Sequence, residues 1–117
     1  PALMRSCKIQ KRAARVGFDW DTAADTLPKV HEEADEVLDA LKKGDAPAIT
    51  EEIGDLLFAC VNAARKAGVD PELALAAATQ KFTNRFIKME ELILSEGGCL
   101  SDMTLEQMDS YWDRIKK

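Results

Sequence analysis

Apolar residues recur along this chain at helical spacing. Val30, Ala34, Val37 and Leu41 form one series, Ile49, Ile53, Leu56 and Cys60 a second, and Phe82, Phe86, Met89 and Ile93 a third. Each follows i, i+4, i+7, i+11, which is one stripe on an α-helix. Strict alternation is absent and β-branched runs are few, so an all-α helical bundle is expected. Local signals divide the chain. Residues 9–16 read as a short helix, basic on one side and stopped by Gly17. The next helix starts either with Thr26 as cap and Pro28 in its first turn, or at Thr22 with a kink at Pro28. It ends at Lys42-Lys43-Gly44, basic residues followed by a glycine stop. Asp45 with Pro47, and Asp70 with Pro71, open two further helices, the second running to about Ser95. Thr104-Leu105-Glu106-Gln107 is a capping box for a last helix through Ile115, with Leu105, Met108, Trp112 and Ile115 on its apolar face.

The acidic residues repeat with the stripes. Glu33 and Glu36 stand at i+3 and i+6 of the first series, and Glu52 and Asp55 at the same places of the second. At about 100° per residue these positions lie roughly 60° and 120° to one side of the first stripe residue. The four acids are therefore expected on the shoulder of the buried face. Only a few residues join the two helices, which makes them antiparallel neighbours whose shoulders can meet in one cleft. Four carboxylates in one cleft raise each other's pKa unless a cation neutralises them. Oxygen ligands without Cys or His point to Mg²⁺, or Mn²⁺. On the third series the matching positions are Arg85 and Lys88, with Lys81 one residue before Phe82, so the third shoulder is basic.

Composition narrows the class. The 117 residues are 46% hydrophobic and 32% charged, the profile of one folded domain with a modest core. A net charge of −5 argues against nucleic acid as a partner. No segment reaches the roughly 18 apolar residues of a membrane span, and the apolar part of the N-terminus is too short for a signal peptide. Cys7, Cys60 and Cys99 are odd in number and widely spaced, which favours reduced thiols and a cytoplasmic protein. Cys60, within a stripe, is expected to be a small core residue. A chain that opens on Pro1 without an initiator Met suggests a fragment or processed product.

Acids on two helices and bases on a third suggest a metal–polyphosphate site, in which the acids hold Mg²⁺ and Lys/Arg take the remaining phosphate charge. A metal-activated water beside a spare carboxylate would serve hydrolysis without a Ser, Cys or His nucleophile. The competing reading is a solvated helix face, since E-E-x-x-E arises readily by chance. A di-iron bundle requires Glu-x-x-His, and three residues before His31 stands Pro28; His31 is read as a surface residue. Phe18-Asp19-Trp20-Asp21 is either a loop plugged onto the bundle by its rings or part of a pocket wall.

Glu32-Glu33-x-x-Glu36 followed by Glu52-x-x-Asp55 resembles the signature of the MazG family of nucleoside triphosphate pyrophosphohydrolases. KIQKRAARVGFDW, EEIGDLLFACVNAARK, DPELALAAATQKF and TLEQMDSYWDRIKK extend the likeness over nearly the whole chain, to the C-terminal domain of full-length MazG proteins. The resemblance implies an all-α NTP pyrophosphatase fold over residues 1–117, as a single domain of a longer protein, working as a homodimer. It implies Mg²⁺-dependent cleavage of NTPs and dNTPs to monophosphate and pyrophosphate, removing excess or non-standard nucleotides. Glu33, Glu36, Glu52 and Asp55 would bind the metal, and one of them would orient the attacking water. Lys81 and Arg85 would hold phosphates, and Trp112 would contact the nucleotide. The chain departs from many relatives at Thr79, where they carry Asn, and at Asn84, where they often carry Arg. Two alternatives stand beside this reading. One is a narrower enzyme on dUTP/dCTP or a phosphoribosyl nucleotide; the other is a non-catalytic dimerisation or nucleotide-binding regulatory domain.

Overall fold

The computed structural model describes residues 1–116, and all its regular elements are helical. They are α1 (Ala2–Arg15), α2 (Leu27–Lys43), α3 (Ala46–Lys66), α4 (Pro71–Ser95) and α5 (Leu105–Lys116), with single 3₁₀ turns at Ala24–Thr26 and Leu100–Asp102. The chain divides into two compact units, Pro1–Ala74 and Leu75–Lys117.

In the first unit α2 packs along α3, and α1 along α3. Gly44 at φ +67° ends α2 in the left-handed conformation a side chain resists. Asp45 then caps α3, its carboxylate accepting from the Ala48 amide at 3.3 Å. With so short a turn the helices are antiparallel, and Glu33 accordingly meets Glu52 and Asp55 across the interface.

The pair is rotated from the expected stripes. On α2 and the turn before it the inward positions are Thr26, Val30, Glu33, Val37 and Ala40, and on α3 Ile49, Glu52, Leu56, Ala59 and Ala63. Relative to the expected stripes, this turns each inward face roughly 50° toward the acids. Glu33 is thus not on a shoulder but in the interface, 6% exposed, while Leu41 is 54% exposed. Cys60 is likewise exposed and is not a core residue. Small Ala40 and Ala59 are buried in the first unit. Small residues at these inward positions let the backbones approach, and Leu38, Leu41, Ile53 and Leu57 are left outside.

One helix start differs from expectation, and at another the position agrees with one of the two readings but the cap does not. The first helix begins at Ala2, seven residues before the expected position, because nothing in this segment breaks a helix and its inward face is small or polar. Leu3, Ser6, Gln10 and Ala13 are buried or half-buried, a face that hydropathy does not mark. Thr26 precedes Leu27 but does not cap with its side chain. It sits in the 3₁₀ turn with helical φ and ψ, and its hydroxyl donates to the Ala23 carbonyl at 2.6 Å. Thr22 and Asp25 instead exchange side-chain–backbone hydrogen bonds of 3.1 and 3.2 Å, a reciprocal cap that opens the turn.

In the second unit, Met89 and Ile93 near the end of α4 are buried. Gly97 at φ +82° stops the helix. Thr104 and Gln107 form the expected capping box at the start of α5, with hydrogen bonds of 2.9 and 3.2 Å. Glu96 accepts from the Tyr111 hydroxyl and from Arg114, each at 3.0 Å, which ties the end of α4 to α5. Leu105 stays 71% exposed, so the apolar face of α5 begins at Met108.

Candidate metal centre

The α2–α3 interface gathers the acids named from the sequence. One carboxylate oxygen each from Glu33, Glu52 and Asp55 lies within 4.8 Å of the other two, and Glu32, Glu33 and Glu36 form a second such group. Glu33 belongs to both and is the pivot. It is held there by Lys29, one turn earlier, whose ammonium reaches Glu33 at 3.0 Å and Glu32 at 3.3 Å. The two carboxylates hold the Lys29 pKa above its ordinary value. Lys29 is the residue that sequence reading passed over; its signal was the i, i+4 spacing to Glu33.

Charge in this cluster is poorly compensated. Oε2 of Glu33 and Oε2 of Glu52 are buried and accept no hydrogen bond from any described residue. Glu36 is pushed up to about 7, first by a hydrogen bond shared with Glu52, then by the charge of Glu33 and by desolvation. Carboxylates that raise one another's pKa in this way create a negative potential that a cation would relieve. The donors are all hard carboxylate oxygens, and one each from Glu33, Glu52 and Asp55 converges. The residues fit a small divalent cation such as Mg²⁺, bound through carboxylates. Glu33, Glu36, Glu52 and Asp55 are the side chains that could hold it.

The other predicted site residues lie in the second unit. Lys81 and Arg85 are one turn apart on α4, Lys81 exposed and Arg85 half-buried. The half-buried Trp112 ring packs on Phe82, centroids 5.3 Å apart and planes tilted 42°. Phe82 stacks in turn on Phe86 at 6.0 Å. His31 is exposed, as expected.

The loop after α1 is clamped to α3. The Asp19 carboxylate takes a two-pronged hydrogen bond from Arg65 and a further one of 3.3 Å from Lys66. The Arg65 guanidinium holds Asp19 far below the usual carboxylate range. Phe18 and Trp20 flank this anchor and line a cleft of about 390 Å³ with Gln10, Phe58 and Asn62. The loop is therefore pinned down by Asp19 and not plugged in by its rings, which are exposed and line a cleft wall instead. The anchor itself is ionic, so neither ring needs to be buried to hold the loop.

Residues 21–89 match the MazG nucleotide pyrophosphohydrolase domain. The chain is 44% identical over 119 aligned residues to the nucleoside triphosphate pyrophosphohydrolase of Escherichia coli K12, covering all of this chain and 45% of that protein. It is 45% identical over 116 residues to the nucleoside triphosphate pyrophosphohydrolase/pyrophosphatase MazG of Thermotoga maritima, covering 99% of this chain and 44% of the relative. The chain thus spans under half the length of these curated relatives.

Proposed function

Because the chain belongs to the family of MazG nucleotide pyrophosphohydrolase domains, we propose that it hydrolyses nucleoside triphosphates to monophosphate and pyrophosphate, with Mg²⁺ as the required cation and Mn²⁺ able to replace it. The observation that carries this reading is the uncompensated carboxylate cluster between α2 and α3, with its two unpaired buried oxygens. In this reading Glu33, Glu36, Glu52 and Asp55 are the ligands. The bound cation would draw charge from the phosphate oxygens and lower the cost of activating water. One of these four carboxylates, through an oxygen the cation does not use, would orient the attacking water and take its proton. The water oxygen joins phosphorus and the α–β phosphoanhydride bond breaks. Lys81 and Arg85 neutralise phosphate charge that the cation leaves over. Trp112 contacts the nucleotide.

Two further parts of the proposal have their own support. Leu38 and Leu41 on α2, with Ile53 and Leu57 on α3, are all 42% exposed or more and continue one apolar side of the helix pair. A second copy of the chain would cover that side, giving a homodimer. The three cysteines are free thiols, consistent with action in the cytoplasm, where nucleotides are held. No described helix is long and apolar enough to cross a membrane.

The test is a product assay with Mg²⁺ and each common NTP and dNTP, run beside Glu36→Gln. Monophosphate plus pyrophosphate, lost in the variant and without metal, is expected. Diphosphate plus phosphate would identify a different bond and reject the reaction. Absence of turnover with nucleotide binding retained would favour a regulatory domain.

A further inference from the structure

The first helix inverts the charge of the chain. Residues 1–17 hold Arg5, Lys8, Lys11, Arg12 and Arg15 and no acid, in a protein whose net charge is −5. Among the described residues none of these cations is in an ion pair. Arg12 and Arg15 lie in the last turn of α1, where they suit the helix dipole. Lys8 and Lys11 are not accounted for in that way. Met4, Cys7, Lys8 and Lys11 stand at i, i+3, i+4 and i+7, on one face of α1. That face lines a cleft of about 440 Å³ against Arg65 of α3 and the turn from Gly68 to Pro71. We infer that this cleft binds a polyvalent phosphate anion.

The Arg65 guanidinium is the part of the wall that calls for a ligand. Its side chain is only 9% exposed. Nη1 and Nη2 donate to Asp19, and Nη2 also to Asn62. Nε is buried and has no acceptor among the described residues, an arrangement that costs free energy until an acceptor or an opposite charge arrives. Asp19 borders the neighbouring cleft and not this one, so on this side the guanidinium lacks its counter-ion. The acid of the lining is Asp70, and its Oδ1 is committed to capping α4, accepting from the Glu72 and Leu73 amides at 2.9 and 3.2 Å. Lys8, Lys11 and Arg65 therefore face a single, engaged carboxylate. Three cations call for more than one negative charge, and Lys ammoniums with an Arg guanidinium are the donors that phosphate oxygens take. Arg65 stands about 15 Å beyond Asp55 along α3. Neither the carboxylate cluster nor Lys81 and Arg85 line the cleft, so the inference is independent of the reaction proposed above.

Two measurements on the full chain test this, both with EDTA present so that no divalent cation at the acids can hold phosphate. In the first, pyrophosphate is titrated at constant ionic strength, and the Arg65 Nε–H and Cys7 amide resonances are followed in ¹⁵N–¹H correlation spectra. Saturating shifts at both are expected. Lys8→Gln combined with Lys11→Gln should weaken binding roughly tenfold or more, whereas Lys81→Gln combined with Arg85→Gln should leave it unchanged. No shift, shifts that do not saturate, or loss of binding only in the second pair would overturn the inference. Sulfate binding as tightly as pyrophosphate would mean an adventitious ion only, and would also reject it. The second measurement uses the unaltered protein and depends on no variant. Alkylation by iodoacetamide, a neutral reagent, is read thiol by thiol by peptide mass spectrometry. Pyrophosphate should slow it severalfold at Cys7 and leave it unchanged at Cys60 and Cys99, which are exposed and do not line the cleft. Equal slowing at all three thiols, or none at Cys7, would place the anion elsewhere and reject the site.

Discussion

The cation should stabilise the fold, and the effect should depend on pH in a direction set by Glu36. Its carboxyl is raised from 4.5 to about 7 in the folded chain. A raised carboxyl favours the fold while protonated, so its contribution is complete below 4.5 and disappears as pH rises through about 7. The metal-free protein should therefore lose thermal stability from this group between pH 5 and 8. Mg²⁺ takes the proton's place, and its binding must release that proton. At a free Mg²⁺ concentration about 100-fold above Kd, binding contributes about 2.7 kcal/mol. With an unfolding entropy of ~2.1 cal/mol/K per residue, or roughly 250 cal/mol/K for this length, Tm should rise by about 11 °C at pH 8. At one pH unit below 7, affinity should fall about tenfold and the shift to about half. Thermal unfolding by circular dichroism, with EDTA or Mg²⁺ at pH 6 and pH 8, reads both. Glu36→Gln should flatten the metal-free pH dependence and abolish most of the Mg²⁺ shift. A Mg²⁺ shift that grows as pH falls, or one of full size in Glu36→Gln, would refute the placement of the cation at this cluster.

Other outcomes follow from the packing. Ile93→Ala, at a position only 1% exposed, should cost about 3 kcal/mol in denaturant unfolding, because the cavity it leaves is in the core of the second unit. Gly44→Ala should cost about 1–2 kcal/mol by the same assay, since Gly44 sits at φ +67° between the two acid-bearing helices. Arg65→Met should free the loop of residues 17–23 from α3, seen as faster limited proteolysis there at low and high salt alike. Leu57→Asp, on the exposed apolar side of α3, should convert a dimer to a monomer in analytical ultracentrifugation while the helix content stays unchanged.

The helix ends were legible because they are local chemistry. Asp45 and Asp70 accept from the first amides of their helices, and Gly44 and Gly97 adopt positive φ, as residue type alone suggests. Membership of the acid set was legible too, since i and i+3 spacing on a helix fixes which side chains are neighbours. What spacing could not give was the rotation of α2 against α3. Periodicity marks the most hydrophobic stripe, but Leu41 and Cys60 lie outside and Glu33 inside. The face that packs is the one that lets two backbones approach over Ala40 and Ala59, and closeness of approach is a property of the pair, not of either helix. Of the two readings of the start of α2, the one that opens after Thr26 holds in position, but the Thr26 side chain does not cap, for a similar reason. Its hydroxyl had an earlier carbonyl, that of Ala23, within reach once the 3₁₀ turn formed.

Sequence alone therefore determined the helices, their order, the hairpin and the acids that meet across it. Tertiary structure decided that Glu33 is buried between the helices, that Lys29 pairs with it there, and that Glu52 and Glu33 push Glu36 above the usual carboxylate range. It also decided that Phe18 and Trp20 wall a cleft on the same face of α3 as Asp55. The difference is physical. Backbone hydrogen bonds and caps are settled within one turn of chain, whereas burial, charge compensation and cavities exist only after two elements meet.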